Sequence, residues 1–150
     1  MHADVAASGL PPLPESLPIS LARARDGVLR LFVPVLRPLD LTEQQWRVLR
    51  ALVGSPSSMS VGELATSTAL LGPSIARMLP VLDERGLISR TIDPADARRV
   101  ECSATDLGRK TVASVADELR RQYERIEETL GADGLATLTE LLGRLAMLEP

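Results

Sequence analysis

Apolar residues recur at helical spacing over most of the chain, and two short stretches switch to alternation. From Ile19 to about Leu36 the positions Leu21, Ala24, Val28, Leu31, Phe32 and Val35 share one side of a helix that is expected to end near Pro34 and Pro38. Thr42 offers a cap and Glu43 an acidic first turn for a second helix to Val53, which buries Gln45 or Trp46 with Leu49, Leu52 and Val53. Ser60 and Glu63 stand at capping-box spacing, with Val61, Leu64 and Ala65 following on one side of a short helix. Leu70, Leu71 and Gly72 interrupt it, and Pro73 suits a first helical position. The helix it opens carries Ile75, Met78, Leu79 and Leu82 in one stripe and leaves Ser74, Arg77, Val81 and Glu84 off it. Gly86 is a natural left-handed cap. Leu87–Ile92 and Val100–Ala104 then alternate, which predicts a two-strand hairpin with DPADARR as its turn. Thr105–Leu130 reads as one helix of about 39 Å, with Val112, Val115, Leu119, Gln122, Ile126 and Leu130 at near-heptad spacing. After Gly131, Asp133 is expected to cap a last helix that presents Leu135, Leu138, Leu142 and Leu145, widened by Leu141 and Leu148.

Helix, turn, helix and charged hairpin, in that order from Ser60 to Thr105, is the layout of a DNA reader with a wing. The major groove is about 12 Å wide and admits one α-helix, so a helix anchored on one face offers its outer N-terminal residues to base edges. Those are Pro73, Ser74, Ala76 and Arg77. Arg77 is suited to a guanine edge or to a phosphate, and the sequence leaves both open. Arg98 and Arg99 at the hairpin tip suit the minor groove or backbone, with Asp96 bracing Arg98, and Ser60 and Arg90 complete the expected DNA-facing set.

LTEQQWRVLRAL, GELA, GPSIARMLPVLDERGLISR and DARRVECSATDLGRK resemble, in order and spacing, the MarR family of winged helix-turn-helix transcriptional regulators, from about Leu17 onwards. PISLARARDGVLRLF followed by LTEQQWRVLRAL and LLGPS most resembles its homoprotocatechuate degradative operon repressors. The resemblance implies an obligate homodimer on a pseudo-palindromic operator, released when a small phenolic or aromatic carboxylate enters a cleft between the dimerising and DNA-binding parts. It places the family's reading-helix arginine on Arg77, its wing aspartate and arginine on Asp96 and Arg98, and the residue pair before the long helix on Ala104 and Thr105. Ala76 stands where many relatives have threonine, and Pro80 lies inside the reading helix, where proline removes a hydrogen bond.

The fold expected is mostly α, an α+β winged helix-turn-helix of about six helices with a two- to three-stranded wing. Residues 1–18, with four prolines, are expected to form a mobile or clasping tail. Residues 19–150 form one domain, with the winged part at about 41–105 and dimerising helices at about 19–38 and 105–149. A length of 150 residues with 45% apolar content supports one core, and only three aromatics favour helix packing over sheet. No signal peptide or membrane span is evident, so a cytoplasmic protein is expected. The single cysteine, Cys102, falls on the inward side of a wing strand and reads as a buried structural thiol.

Charge bears against DNA. The net charge is −3, and Ser60–Thr105 holds five arginines against six carboxylates. Counterion release needs a cationic face, so binding requires those acids to be occupied elsewhere. A winged module that binds proteins, or bridges DNA without an effector, is the alternative. Catalysis is not expected: the only histidine is His2, and no nucleophile pairing, phosphate loop or metal-ligand spacing occurs, so neither metal nor cofactor is called for. An aromatic carboxylate effector needs a flat apolar wall and a planar cation. The first two helices offer Ser20, Arg23, Arg25, Trp46 and Arg50, with Arg23 as the leading carboxylate partner and Ser20 for a phenolic hydroxyl; surface arginines paired along their own helices are the other reading.

Overall fold

A computed structural model describes residues 11–94 and 96–148, without the side chains of Asp93, Ala97 and Arg98. Seven α-helices and three strands are formed among them: α1 (Leu17–Leu36), α2 (Glu43–Gly54), β1 (Met59–Ser60), α3 (Val61–Thr68), α4 (Gly72–Glu84), β2 (Ile88–Asp93), β3 (Asp96–Ala104), α5 (Asp106–Ser114), α6 (Ala116–Leu130) and α7 (Ala132–Ala146).

Local chemistry sets the helix starts. Thr42 accepts from the Gln45 amide at 3.1 Å while Gln45 Oε1 accepts from the Thr42 amide at 3.0 Å, so Gln45 closes a capping box and Trp46 is the buried neighbour. Ser60 and Glu63 form the second box. Thr105 caps α5, accepting from the Gly108 amide at 3.0 Å, and its hydroxyl donates to the Gly86 carbonyl at 2.6 Å, which ties the end of the wing to the turn after α4. The sheet is antiparallel in the order β1-β3-β2, with Met59 opposite Cys102 and Ile88 opposite Ala104.

Several expectations change. The single helix over 105–130 is two, broken at Val115 (φ −113°, ψ 4°), which is why seven helices form rather than six. Thr111, Val112 and Val115 are poor helix formers, and the Ser114 hydroxyl donates to the Thr111 carbonyl at 2.7 Å, in competition with the ladder. The break lets α5 pack on α2 and the wing while α6 packs on α1. Asp133 is no cap: Gly131, at φ +73°, turns the chain and the helix begins at once, leaving Asp133 in its first turn. The hairpin tip is shorter than DPADARR, because β3 starts at Asp96 and Asp93 pairs with Asp96. Ile92 does not alternate inward; it is exposed, where the wing runs past the helices. Helix α1 starts two residues early, with Pro18 in its first turn, after a one-turn 3-10 segment at Leu13–Glu15, so only Pro11–Ser16 of the described residues precede it. His2 and the rest of residues 1–10 lie outside the described residues. Helix α4 starts at Gly72, one residue before Pro73, and continues through Pro80, which is half-buried rather than facing outward.

The core is Leu36, Leu41, Trp46, Val48, Leu49, Leu52, Leu64, Ile75, Leu79, Leu82, Leu87, Ile88, Cys102, Ala104 and Leu119. Helix α2 is its axis, touching α3, α4, α5 and β3. Helix α7 buries no residue and rests on α6 alone among its larger contacts. No helix among the described residues is long and apolar enough to cross a membrane.

Candidate functional site

The candidate DNA face begins at α4. Its stripe of Ile75, Leu79 and Leu82 is buried, which fixes the helix and turns the opposite side outward. Pro73, Ala76 and Arg77 are exposed, Ser74 is half-buried, and Arg77 has no protein partner among the described residues. Leu71 at the N-cap is 76% exposed and has no side-chain acceptor to cap the helix, so only its carbonyl joins the first turn, accepting from the Ser74 and Ile75 amides at 2.9 and 3.1 Å. Sequence reasoning passed it over as a helix breaker. An apolar side chain there suits a thymine methyl.

Two of the expected DNA-facing residues are engaged inside the protein. Ser60 uses its hydroxyl in the capping box, accepting from the Glu63 amide at 3.3 Å and donating to Glu63 Oε2 at 2.8 Å. Arg90 donates from Nε to Asp83 Oδ2 at 2.9 Å, pinning β2 to the end of α4. At the wing, Asp96 is half-buried and Arg99 is exposed, and both have interactions within the chain. The side chain of Arg98, and with it the bracing by Asp96, lies outside the described residues.

Glu63, Asp83 and Glu101, half of the region's carboxylates, are occupied within the chain. Glu63 receives the Ser60 backbone N–H at 2.8 Å as well as its hydroxyl, which together hold its carboxyl below the usual range. Asp83 pairs with Arg90, and Glu101 accepts from the Ser58 hydroxyl at 3.0 Å. Three of the six acids that made the regional sum unfavourable are thus tied to a cap, a brace and a strand edge. Arg85, which the sequence reading did not single out, donates to the Asp40 carbonyl at 2.6 Å and the Leu39 carbonyl at 2.7 Å, locking the end of α4 to the α1–α2 turn.

A cleft of about 690 Å³ opens between α1, α2, α3 and α6, within the range of small-molecule sites. It is lined by Val28, Leu29, Phe32 and Leu36 from α1; Glu43, Trp46, Arg47, Arg50, Ala51 and Gly54 from α2; Ser55 and Met59; Ser67 and Thr68 from α3; and Leu119 and Tyr123 from α6. Phe32, Trp46 and Tyr123 are all the aromatic residues the chain has, and all three border this one space. Phe32 and Tyr123 meet edge to face, with centroids 5.0 Å apart at 62°. Arg50 donates to the Tyr123 hydroxyl at a long 3.3 Å, which leaves most of its fork for a ligand. Of the expected effector residues, Trp46 and Arg50 line the cleft. Arg25 does not line it and lies 3.9 Å from Glu43, which does. Ser20 and Arg23 are exposed on α1 and do not line the cleft of their own chain. Arg47, Tyr123 and Phe32 were not singled out for the site. The scarcity of aromatics was the signal available for the last two.

Cys102 is fully buried in β3, and burial pushes its thiol up to about 11, although Arg90 nearby lowers it. A thiol so placed is a poor nucleophile at neutral pH, as a structural residue should be.

Known proteins share this sequence and fold. The model of the MarR family matches residues 39–99. The HTH-type transcriptional regulator FarR of Neisseria gonorrhoeae is 34% identical over 134 residues, 89% of this chain and 91% of that protein. The homoprotocatechuate degradative operon repressor of Escherichia coli is 34% identical over 128 residues, 85% and 86% of the two chains. Among solved structures, the transcriptional repressor CouR bound to a 23-mer DNA duplex superposes with a TM-score of 0.78 at 34% identity, covering 89% of this chain and 94% of that one. NadR in complex with 4-hydroxyphenylacetate gives 0.76 at 32%, covering 93% and 100%. Fold, reading helix and sequence kinship converge: the chain belongs to the MarR family and is a transcriptional regulator.

Proposed function

We propose that this regulator represses an aromatic-compound catabolic operon and leaves its operator when a small phenolic or aromatic carboxylate fills the α1–α2–α6 cleft. One observation carries the reading: the chain's whole aromatic complement, Phe32, Trp46 and Tyr123, walls a single cleft with the Arg50 guanidinium beside it. Rings stack or meet edge-on with those walls, and the planar fork of Arg50 matches a carboxylate. Arg50 therefore takes the part that Arg23 leads for in the sequence. The repressor of homoprotocatechuate degradation and NadR with 4-hydroxyphenylacetate, both relatives of this chain, support the ligand class.

The regulator acts as a homodimer. Leu138, Leu141 and Leu142 on α7 and Leu17 and Leu21 on α1 are exposed in the single chain, more apolar surface than a monomer comfortably leaves in water. A two-fold pair through these helices sets two α4 helices about 34 Å apart, one turn of DNA. Arg77, with Pro73, Ser74 and Ala76, then reads the groove, and Arg98 and Arg99 follow the wing.

Selection of bound fragments from random duplexes tests the DNA half. An enriched inverted repeat is expected, and Arg77→Ala should weaken its binding by about 1–3 kcal/mol; sequence-blind binding would sink base reading and leave a bridging module. Calorimetry with 4-hydroxyphenylacetate tests the effector half. Arg50→Ala should abolish measurable binding, and an unchanged affinity removes Arg50 from the site.

A further inference from the structure

We propose that Arg47 is the positioning residue through which an occupied cleft reaches the reading head, by exchanging its hold on the last carbonyl of α3 for the carboxylate of the ligand. The proposal rests on the effector reading above and adds the means of its regulation.

Arg47 spans two regions. Its Nη2 donates to Glu43 Oε2 at 2.9 Å, one turn back on α2, and its Nη1 donates to the Thr68 carbonyl at 2.8 Å. Among the described residues, that bond is the one side-chain hydrogen bond from α2 to α3. Thr68 ends α3; the next residue, Ala69, turns left-handed at φ +53°, and α4 begins at Gly72. A carbonyl at such a place has no partner within its own helix and carries the negative end of the helix dipole, so a guanidinium is its natural cap. By fixing that carbonyl, Arg47 fixes the turn from which the reading helix starts. Glu43 in turn lies 3.9 Å from Arg25, so α1, α2 and α3 meet on the Glu43–Arg47 pair.

The same guanidinium, with Glu43 and Thr68, borders the aromatic cleft. Arg47 and Arg50 are three residues apart on α2, which puts them on one face of the helix. A carboxylate held by Arg50 thus arrives beside Arg47. Arg47 already donates to the Thr68 carbonyl as a cation, and a ligand carboxylate adds the attraction of a full opposite charge at the same fork, often in bidentate geometry, so between the two acceptors the carbonyl loses. Glu43 keeps the stem anchored meanwhile. The α3–α4 turn is then free to move, and α4 leaves its pose for the groove.

The test uses the full-length chain, its selected operator and 4-hydroxyphenylacetate as probe, and reads the operator affinity with and without saturating probe. In the wild type the probe should weaken operator binding by about tenfold or more. Arg47→Met should weaken probe binding but leave it measurable, since Arg50 still holds the carboxylate; at saturating probe it should start from weakened operator binding and lose the effect of the probe to less than about twofold. Arg47→Lys, which retains one charged donor for Thr68, should restore part of that effect. Amide exchange at Ala69–Gly72 should quicken when probe binds to the wild type and show no further change in Arg47→Met. A merely structural arginine would lower operator affinity and leave the ratio intact. The relay is overturned if Arg47→Met at saturating probe keeps the wild-type ratio, or if its probe affinity equals that of the wild type, since the carboxylate would then never reach Arg47. A wild type that ignores the probe defeats both the relay and the effector reading, whereas coupling in both proteins defeats the relay alone.

Discussion

The segment from α2 to β3 and the helices flanking it differ in how they meet water. Apart from Leu36 at the end of α1, the fully buried side chains run from Val48 to Cys102. Helix α7 has none, and its Leu138, Leu141 and Leu142 are 40–47% exposed. The reading head is closed by its own groups: two capping boxes, Arg85 on the Leu39 and Asp40 carbonyls, Thr105 on Gly86, and Arg90 on Asp83. The arms have apolar faces, and the polar side chains of α6 bond mainly within their own helix, as Arg120 to Asp117 and Gln122 to Glu118 do. Such a molecule keeps its DNA-contacting surface rigid within one chain and leaves the placement of that surface to an assembly. The cleft lies where the two halves meet, which is where a small ligand gains most leverage over placement.

The contrast breaks most visibly if the arms are altered. Leu138→Glu with Leu142→Glu should give a chain that is monomeric at micromolar concentration by light scattering, with operator affinity reduced at least about 100-fold, since each lost leucine contact is worth about 1.5–3 kcal/mol and counts twice across a two-fold axis. Trp46 fluorescence should stay native, because α7 contributes no residue to the core that holds Trp46. A persisting dimer would mean that the exposed leucines serve another partner. Next in size is Gly108→Ala, aimed at the head. A Cβ on Gly108 would sit 2.1 Å from the Leu87 carbonyl oxygen and 3.1 Å from Leu49 Cδ1. Neither backbone nor core has slack, so the melting point should fall by about 4–8 °C, a loss of about 2 kcal/mol or more. The dimer should survive. A variant as stable as the wild type would show that α5 is free to shift off the wing.

The same divide governs what was legible in the sequence. In the head, each element is announced by its own residues: Thr42 and Gln45, Ser60 and Glu63, Gly86, and the alternation through Cys102 all specify structure within a few positions. The arms obey tertiary demands instead. Nothing periodic marks Val115 as a break, because Val112, Val115 and Leu119 fit a single stripe; the break exists since α5 must meet Leu87 and Leu49 while α6 must meet α1. The candidate site divides in the same manner. Trp46 and Arg50 were found because both lie on one well-marked helix, whereas Tyr123 and Phe32 come together across 91 residues, and Arg47 reads as an ordinary i,i+4 partner of Glu43 until its bond to Thr68 is seen. Leu71 was legible only as punctuation, because exposure of a leucine is invisible to a pattern. Ser60 and Arg90 have the right residue types for DNA and the wrong commitments, which only distances reveal.

The smallest expected effect separates head from arms by pH. Burial holds Cys102 neutral in the folded head, with its thiol raised from the ordinary 9.0 to about 11. An unfolded chain loses that proton from about pH 9 upward and the folded chain does not, so the contribution to stability is whole below pH 9 and disappears as the pH climbs toward 11. The cost should be about 1 kcal/mol at pH 10 and about 2–3 kcal/mol by pH 11. Denaturant titrations of wild type and Cys102→Ala at pH 8, 9 and 10 isolate it, because the thiol is the one group in which the two proteins differ. The difference between the two proteins should be constant from pH 8 to 9 and then shrink, since only the wild type has a thiol to lose. The dimer dissociation constant should stay level over the same interval, as Cys102 is buried within the sheet, between Met59 of β1 and Arg90 of β2. Parallel curves for the two proteins would show that the thiol reaches water, and with it that β3 opens more easily than its packing against β1 and α2 implies.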